Sequence, residues 1–128
     1  MSDTEKITIN LGPVDLGRID VLVEQGLYSN RTDAIRSAIR TLLDRHEPVI
    51  QEMSVRKSFS MGVLIYNQKD FERFKAEGRR VSIHVIGHLT LARDIDPQLA
   101  RETIESISVR GVFRASDQLK EALADRIR

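Results

Sequence analysis

The sequence contains no cysteine among its 128 residues. Disulfide bonds, thiolate metal sites and cysteine catalysis are therefore excluded. It also contains no run of about 18 apolar residues that could span a bilayer, and its first residues lack the basic-then-apolar order of a secretory signal. We therefore expect a cytoplasmic protein that has no membrane segment.

A large excess of positive charge, which would favour a nucleic-acid partner, is missing as well. The formal net charge is only +1. Residues 1–48 carry six Lys/Arg and eight Asp/Glu, a net of −2, whereas residues 49–128 carry fourteen and eleven, a net of +3. Bulk electrostatics thus do not indicate DNA binding, and any such function of the N-terminal part must depend on where its charges lie.

Residues 6–11 alternate strictly between polar and apolar side chains. The polar positions are Lys6, Thr8 and Asn10, and the apolar ones are Ile7, Ile9 and Leu11. This period of two predicts a half-buried β-strand. Gly12-Pro13 ends it, because proline cannot continue a ladder but fits the first turn of a helix.

Two amphipathic helices are predicted after this strand. In the first, apolar residues recur at helical spacing from Val14 onwards, and Gly26 supplies a C-terminal stop. Ser29 and Asn30 are candidate N-caps for the second helix, which should end near His46, before Pro48. A strand and two helices of this length cannot bury a useful core, and a single strand leaves both edges unpaired. We therefore predict an obligate homodimer with antiparallel paired strands and interlocked helices.

The order of these elements resembles a known DNA-binding fold. Lys-Ile-Thr-Ile-Asn-Leu, Gly-Pro, Gly-Leu-Tyr-Ser-Asn-Arg-Thr-Asp-Ala-Ile-Arg and the closing Ile-Arg-Thr-Leu-Leu are similar to the ribbon-helix-helix domain of CopG-like repressors and antitoxins. The resemblance covers about residues 5–46, a third of the chain.

The resemblance implies that the paired strands enter the major groove of double-stranded DNA. The outward side chains Lys6, Thr8 and Asn10 would then contact base edges, which present a distinct pattern for each base pair. The start of the second helix would bind phosphate through free amides and the positive end of its dipole. The residues involved would be Ser29, Asn30, Arg31 and Thr32.

The C-terminal part shows a repeating pattern. Gly62, Gly87 and Gly111, spaced 25 and 24 residues apart, are each followed by apolar residues two and four positions later. Helices are expected after them at about 68–77, 97–105 and 117–126, with Asp96-Pro97 and Ser116-Asp117 as helix starts. A strand-helix unit repeated three times predicts a small solenoid.

The alternative for this part is a ferredoxin-like βαββαβ domain, in which residues 81–95 would fold as two strands around Gly87. That domain would resemble the sensing domain of nickel-responsive ribbon-helix-helix regulators. The repeat is preferred because no turn-forming pair interrupts residues 81–95. No metal site is predicted either, since His84 and His88 would lie about 13 Å apart along an extended strand.

Taken together, these patterns predict an α+β chain. It comprises a ribbon-helix-helix domain at 1–47 (βαα, an intertwined dimer), a linker at 48–57 and a C-terminal domain of βα repeats at 58–128. The predicted function is that of a sequence-specific repressor, without enzymatic activity or cofactor, acting as a homodimer or a tetramer or larger assembly formed through the C-terminal domain. Two alternatives remain open: an antitoxin whose residues 49–128 bind a toxin, and a module that assembles chains along DNA.

Overall fold

A computed structural model describes residues 4–128, so the first three residues of the predicted DNA-binding domain lie outside the described residues. The chain divides into two compact units, of which the first ends at Pro48 and the second runs from Val49 to Arg128. Each unit is described by itself below.

The N-terminal unit contains two helices, α1 (Pro13–Glu24) and α2 (Arg31–Arg45). Pro13 occupies the first turn of α1, as predicted, where its missing N–H has no intrahelical acceptor to lose. Gly26 follows α1 with a φ of 80°, a left-handed conformation that glycine adopts without steric cost. Residues 4–12 form no strand within one chain, since a ladder requires a second strand and this unit has none.

A third helix, α3 (Glu47–Arg56), covers the segment for which a linker was predicted. The sequence pattern does not predict a helix there. Pro48 is the second residue of the helix, a position that proline tolerates because the first amides of a helix have no acceptor. Ile50 and Met53 are partly buried and Ser54 is buried on one side of α3, which gives the helix a packed face.

The C-terminal unit alternates strands with helices. The strands are β1 (Ser60–Tyr66), β2 (Val81–Leu91) and β3 (Ile104–Arg114), and the helices are α4 (Gln68–Ala76), α5 (Pro97–Thr103) and α6 (Asp117–Ala122). All three strands are parallel, in the order β1-β2-β3. The repeating strand-helix unit is therefore present, and the alternative that splits residues 81–95 into two strands is wrong.

Side-chain caps fix where the helices of this unit begin. Asn67 and Asp70 form a reciprocal capping box, in which Asp70 N–H donates to Asn67 Oδ1 at 3.1 Å and Asn67 N–H donates to Asp70 Oδ2 at 2.8 Å. Asp96 and Ser116 cap α5 and α6, as predicted from the sequence. These caps satisfy amides that would otherwise lack acceptors.

One continuous core lies between the sheet and these helices. Its largest fully buried members are Phe71, Leu89, Leu91, Ile104, Ile107, Leu119 and Leu123. The opposite sheet face is open along β1, where Met61, Val63 and Ile65 are exposed. The unit is therefore a two-layer structure with helices on one side.

The repeated glycines lie side by side across the sheet, since Gly62 pairs with Gly87 and Gly87 with Gly111. All three have a φ between 126° and 139°. A Cβ atom on Gly87 would lie 2.1 Å from the Gly62 carbonyl oxygen, and one on Gly111 would lie 2.1 Å from the Gly87 oxygen. We call these three residues the glycine column. At Gly87 and Gly111 a glycine is required, because the neighbouring backbone approaches too closely for a side chain.

The last residues return to the sheet. Ile107 N–H donates to the carbonyl of Arg126 at 2.9 Å, and Arg128 N–H donates to the carbonyl of Ile107 at 2.7 Å. This places Ile127 beside Ile107 as a short parallel bridge. The Arg126 guanidinium reinforces it by donating to the carbonyl of Ile104 at 2.6 Å.

Candidate nucleic-acid interface

The segment before α1 presents its predicted base-contacting residues to solvent. Lys6, Thr8 and Asn10 are all exposed. Their apolar neighbours Ile7 and Ile9 are also exposed, by 75% and 58%. Exposure of apolar side chains to water is unfavourable. The segment therefore has an uncovered apolar side as well as a polar one.

The apolar side of this segment continues into a groove formed with both helices. Its lining side chains include Ile9, Leu11, Ile19, Leu22, Ile35 and Leu42. Among the hydrophobic residues described in this unit, only Ala34 is buried. The apolar side chains of α2 that line this groove are thus not covered within one chain.

The start of α2 is capped as the sequence predicts. Asn30 Oδ1 accepts from Asp33 N–H at 2.8 Å, and Ser29 N–H donates to Asp33 Oδ2 at 2.9 Å. The helix geometry leaves the amides of Arg31 and Thr32 without an intrahelical acceptor. Two of the four predicted phosphate-contacting residues therefore offer backbone N–H groups at the positive end of the helix dipole.

The guanidinium of Arg31 is engaged in a bidentate ion pair with Asp20 of α1. Its Nε and Nη2 atoms lie 2.7 and 2.8 Å from the two carboxylate oxygens. The hydrogen bonds from Arg31 lower the pKa of the Asp20 carboxyl, and those same bonds raise the pKa of Arg31. The pair links the two helices and holds the Arg31 side chain beside a negative charge.

Sequence reasoning did not identify Asp20 and Asp33 as part of this surface. The signal for Asp33 was present, because an acidic residue three positions after an N-cap is the mark of a capping box. Asp20 carried no such signal, since its partner lies eleven residues away across the loop between the helices. Both carboxylates place negative charge near the proposed phosphate site.

Comparison with known proteins shows the family of this chain. The model of the ribbon-helix-helix transcriptional regulator family matches residues 2–120. The chain belongs to this family. It is thus a DNA-binding transcriptional regulator, as the resemblance of residues 5–46 predicted.

One curated relative of this ribbon-helix-helix protein is the transcriptional regulator CdrS of Halobacterium salinarum. The two are 36% identical over 42 residues, which make up 33% of this chain and 76% of the relative. No solved structure matches the chain significantly. The family match extends well into the C-terminal unit, beyond the length shared with this relative.

The described part of the C-terminal unit contains no cluster of metal-ligating side chains. Between residues 4 and 128, no three histidine or acidic side chains are grouped as a metal site requires. The two histidines of β2 have other contacts: His84 Nδ1 lies 3.0 Å from the Lys57 carbonyl oxygen, and His88 Nε2 lies 2.8 Å from Thr90 Oγ1. In the same described part, no helix is long and apolar enough to cross a membrane.

Proposed function

We propose that this ribbon-helix-helix regulator is a homodimeric, sequence-specific repressor. The observation that carries the proposal is the open apolar groove of the N-terminal unit, which only a partner of complementary shape can cover. A second copy supplies one, because the same groove and the same unpaired segment are present on both chains. Covering these side chains removes apolar surface from water at about 25 cal/mol per Å².

Pairing of the two N-terminal segments creates the proposed DNA-contacting ribbon. With Ile7, Ile9 and Leu11 turned to the shared core, the alternation of a strand turns Lys6, Thr8 and Asn10 outward. Asn10 suits adenine and Lys6 suits guanine, while Thr8 can donate, accept or contact a thymine methyl. A two-stranded ribbon of this kind fits the major groove.

Phosphate binding at the start of α2 would fix the register of the dimer on DNA. In this proposal the amides of Arg31 and Thr32 are the main donors, and Ser29 and Asn30 shape the turn that exposes them. The Arg31 guanidinium contributes its charge to phosphate binding only when its ion pair with Asp20 opens. A dimer bound across a promoter would repress by excluding the transcription machinery.

The proposal is tested with Asn10→Ala, compared with Gln25→Ala, which removes an exposed amide from the same unit outside the ribbon. Binding to duplexes selected from a random library, and to single-base variants of them, is measured by fluorescence anisotropy. Asn10→Ala should relax the preference at one base pair of each half-site by about 1–3 kcal/mol. Gln25→Ala should leave the preference unchanged. An equal loss of affinity for every sequence would contradict the base-contacting role.

Dimerisation is tested separately with Leu42→Ala, whose side chain lines the groove and is 52% exposed in one chain. If a partner buries Leu42, truncation should cost about 2–5 kcal/mol for each chain and shift the midpoint of unfolding in a concentration-dependent way. Val55→Ala, at an exposed valine of α3, is the control. Equal effects of the two variants would argue against the dimer.

The antitoxin alternative needs a C-terminal segment that stays unfolded until a toxin binds it. The buried core of residues 49–128 favours a folded accessory unit instead. Hydrogen exchange on the free protein tests this: slow exchange in β2 and β3 supports the folded unit, and rapid exchange throughout 49–128 supports the antitoxin.

A further inference from the structure

The sheet of the C-terminal unit ends in two open edges. In the described chain, β1 pairs only with β2. On the far side of β3, the pairing described for Arg126–Arg128 is limited to Ile107. The outer side of β3 from Val109 to Phe113 thus has no strand partner within the described chain. Such an edge is a template for another strand.

The hydrogen-bonding groups on these two edges alternate in a complementary way. The Tyr66 carbonyl of β1 accepts from Ala92 N–H, on the β2 side. Because successive residues of a strand direct these groups to opposite sides, the odd-numbered residues of β1 direct theirs outward. Ile107 bonds to the C-terminal segment, so the odd-numbered residues of β3 also point outward. The outward residues are Met61, Val63 and Ile65 on β1, and Val109, Gly111 and Phe113 on β3.

The glycine column is incomplete at one end. Gly87 and Gly111 need their left-handed φ because a neighbouring carbonyl oxygen occupies the place of a Cβ atom. Gly62 has the same conformation, with a φ of 139°, yet no heavy atom lies within 4 Å of the position of its Cβ. The space that a carbonyl oxygen fills beside the other two glycines is therefore open beside Gly62.

We propose that a second copy of this chain fills that space, with the outer edge of β3 in one copy pairing in parallel with the outer edge of β1 in the next. The occupant is a second copy because β3 carries the matching element: the carbonyl of Gly111 points outward where a next strand of the column would lie. Continuing the internal register places Gly111 opposite Gly62, and Val112 opposite Val63.

The hydrogen bonds of Arg126–Arg128 do not reach the residues that this contact uses. In the continued register, the incoming β1 begins with Ser60 opposite Val109. The hydrogen bonds of Arg126–Arg128 involve Ile107, before that point. The two segments would occupy successive parts of one edge. A symmetric pairing of two β1 edges would be antiparallel and would not continue the column.

The proposed contact is heterologous, since it joins two different edges. Such a contact leaves a free edge at each end and continues until the rotation closes a ring. Together with an N-terminal dimer, it would link dimers to one another. It uses only the C-terminal unit and does not depend on the base contacts proposed above.

Thiol cross-linking of the full-length protein tests the pairing and its direction. The chain has no cysteine, so Val63→Cys and Val112→Cys each introduce one thiol, on side chains outside the hydrophobic core. The two variants, distinguished by isotope labelling, are oxidised separately and as a mixture. Disulfides joining position 63 to position 112 should form in the mixture and exceed those formed in either variant alone at least ten-fold.

The register is checked by mixing Val63→Cys with Arg114→Cys, in which the second thiol lies two residues further along the strand, about 7 Å away. This mixture should cross-link far less. The proposal is overturned if the Val63→Cys and Val112→Cys mixture forms no mixed disulfide. It is equally overturned if Val63→Cys alone cross-links as well as the mixture, which would indicate a symmetric contact.

A second pair of variants removes a hydrogen-bond donor from the edge without using thiols. Ile65→Pro deletes an outward N–H at a position where an edge strand tolerates proline, and Ile65→Ala removes the side chain but keeps the N–H. In sedimentation velocity over a hundred-fold concentration range, Ile65→Ala should grow in mass as the native protein does. Ile65→Pro should need at least ten times the protein concentration to reach the same average mass. Equal behaviour of the two variants, or no growth of the native protein, refutes the pairing.

Discussion

Replacement of Gly87 by alanine should strongly destabilise the C-terminal unit. Two effects act at this residue. The left-handed φ of 137° costs about 1–3 kcal/mol for a residue with a Cβ atom. In addition, the new methyl group would lie 2.1 Å from the Gly62 carbonyl oxygen, whereas carbon–oxygen contacts are normally about 3.3–3.6 Å.

The overlap of more than 1 Å involves backbone rather than a flexible side chain, so β1 must move away from β2. Loss of two or three ladder hydrogen bonds, at about 0.5–1.5 kcal/mol each, adds to the conformational cost. We expect a total of about 3–6 kcal/mol for Gly87→Ala. Because domains are stable by only about 5–15 kcal/mol, this variant should be marginally folded.

Gly62→Ala is the matched control, because it has a similar φ but meets no atom within 4 Å. It should show the conformational cost alone. Hydrogen exchange measured on peptides from β1 and β2, at low protein concentration, reports the stability of this unit separately from the N-terminal unit. If Gly87→Ala and Gly62→Ala exchange at equal rates, the close approach of the two backbones does not limit this position and the reasoning is refuted.

Two further predictions concern charged groups. Asp20→Asn should release Arg31 and remove negative charge near the proposed phosphate site, so the affinity for DNA should rise and its salt dependence should steepen. Anisotropy titrations at several salt concentrations measure both, with Asp15→Asn as the control. A fall in the affinity of Asp20→Asn would contradict the proposed anchoring. Hydrogen bonds from Arg101 hold the pKa of the Asp125 carboxyl below its usual value near 4. The stability that this pair provides is therefore present above that pH and lost as the pH falls through the lowered pKa. The difference in melting temperature between the native protein and Asp125→Asn should shrink between pH 5 and pH 3, and a constant difference would refute the pairing.

The sequence was sufficient to predict the elements whose signals are local. The cap at Asn30, the helix starts at Asp96 and Ser116, and the spacing of the three glycines each depend on residues within a few positions or on a simple period. The alternation of strands and helices along the C-terminal unit followed from the spacing of the glycines. The conformation of the glycines did not follow, because close approach of two backbones is a property of the assembled sheet.

Other features depend on contacts that a local pattern cannot contain. Pro48 suggests a break in the sequence, yet helix α3 contains it, because proline is compatible with a helix's first turn. The ion pair between Arg31 and Asp20 joins two helices that a loop separates in sequence. The local sequence around either residue therefore does not predict it. The segment from Lys6 to Leu11 is not a strand within one chain, and its alternation predicts pairing without defining the partner.

The architecture of the C-terminal unit makes its size adjustable. Each strand contacts the next one and each helix the next one, so a strand-helix block interacts mainly with the blocks on either side. A duplicated block of about 24 residues, inserted after α5 with its glycine in register, would meet the same neighbours as the block it copies. The length of this unit can therefore change in whole strand-helix steps while the N-terminal unit stays the same.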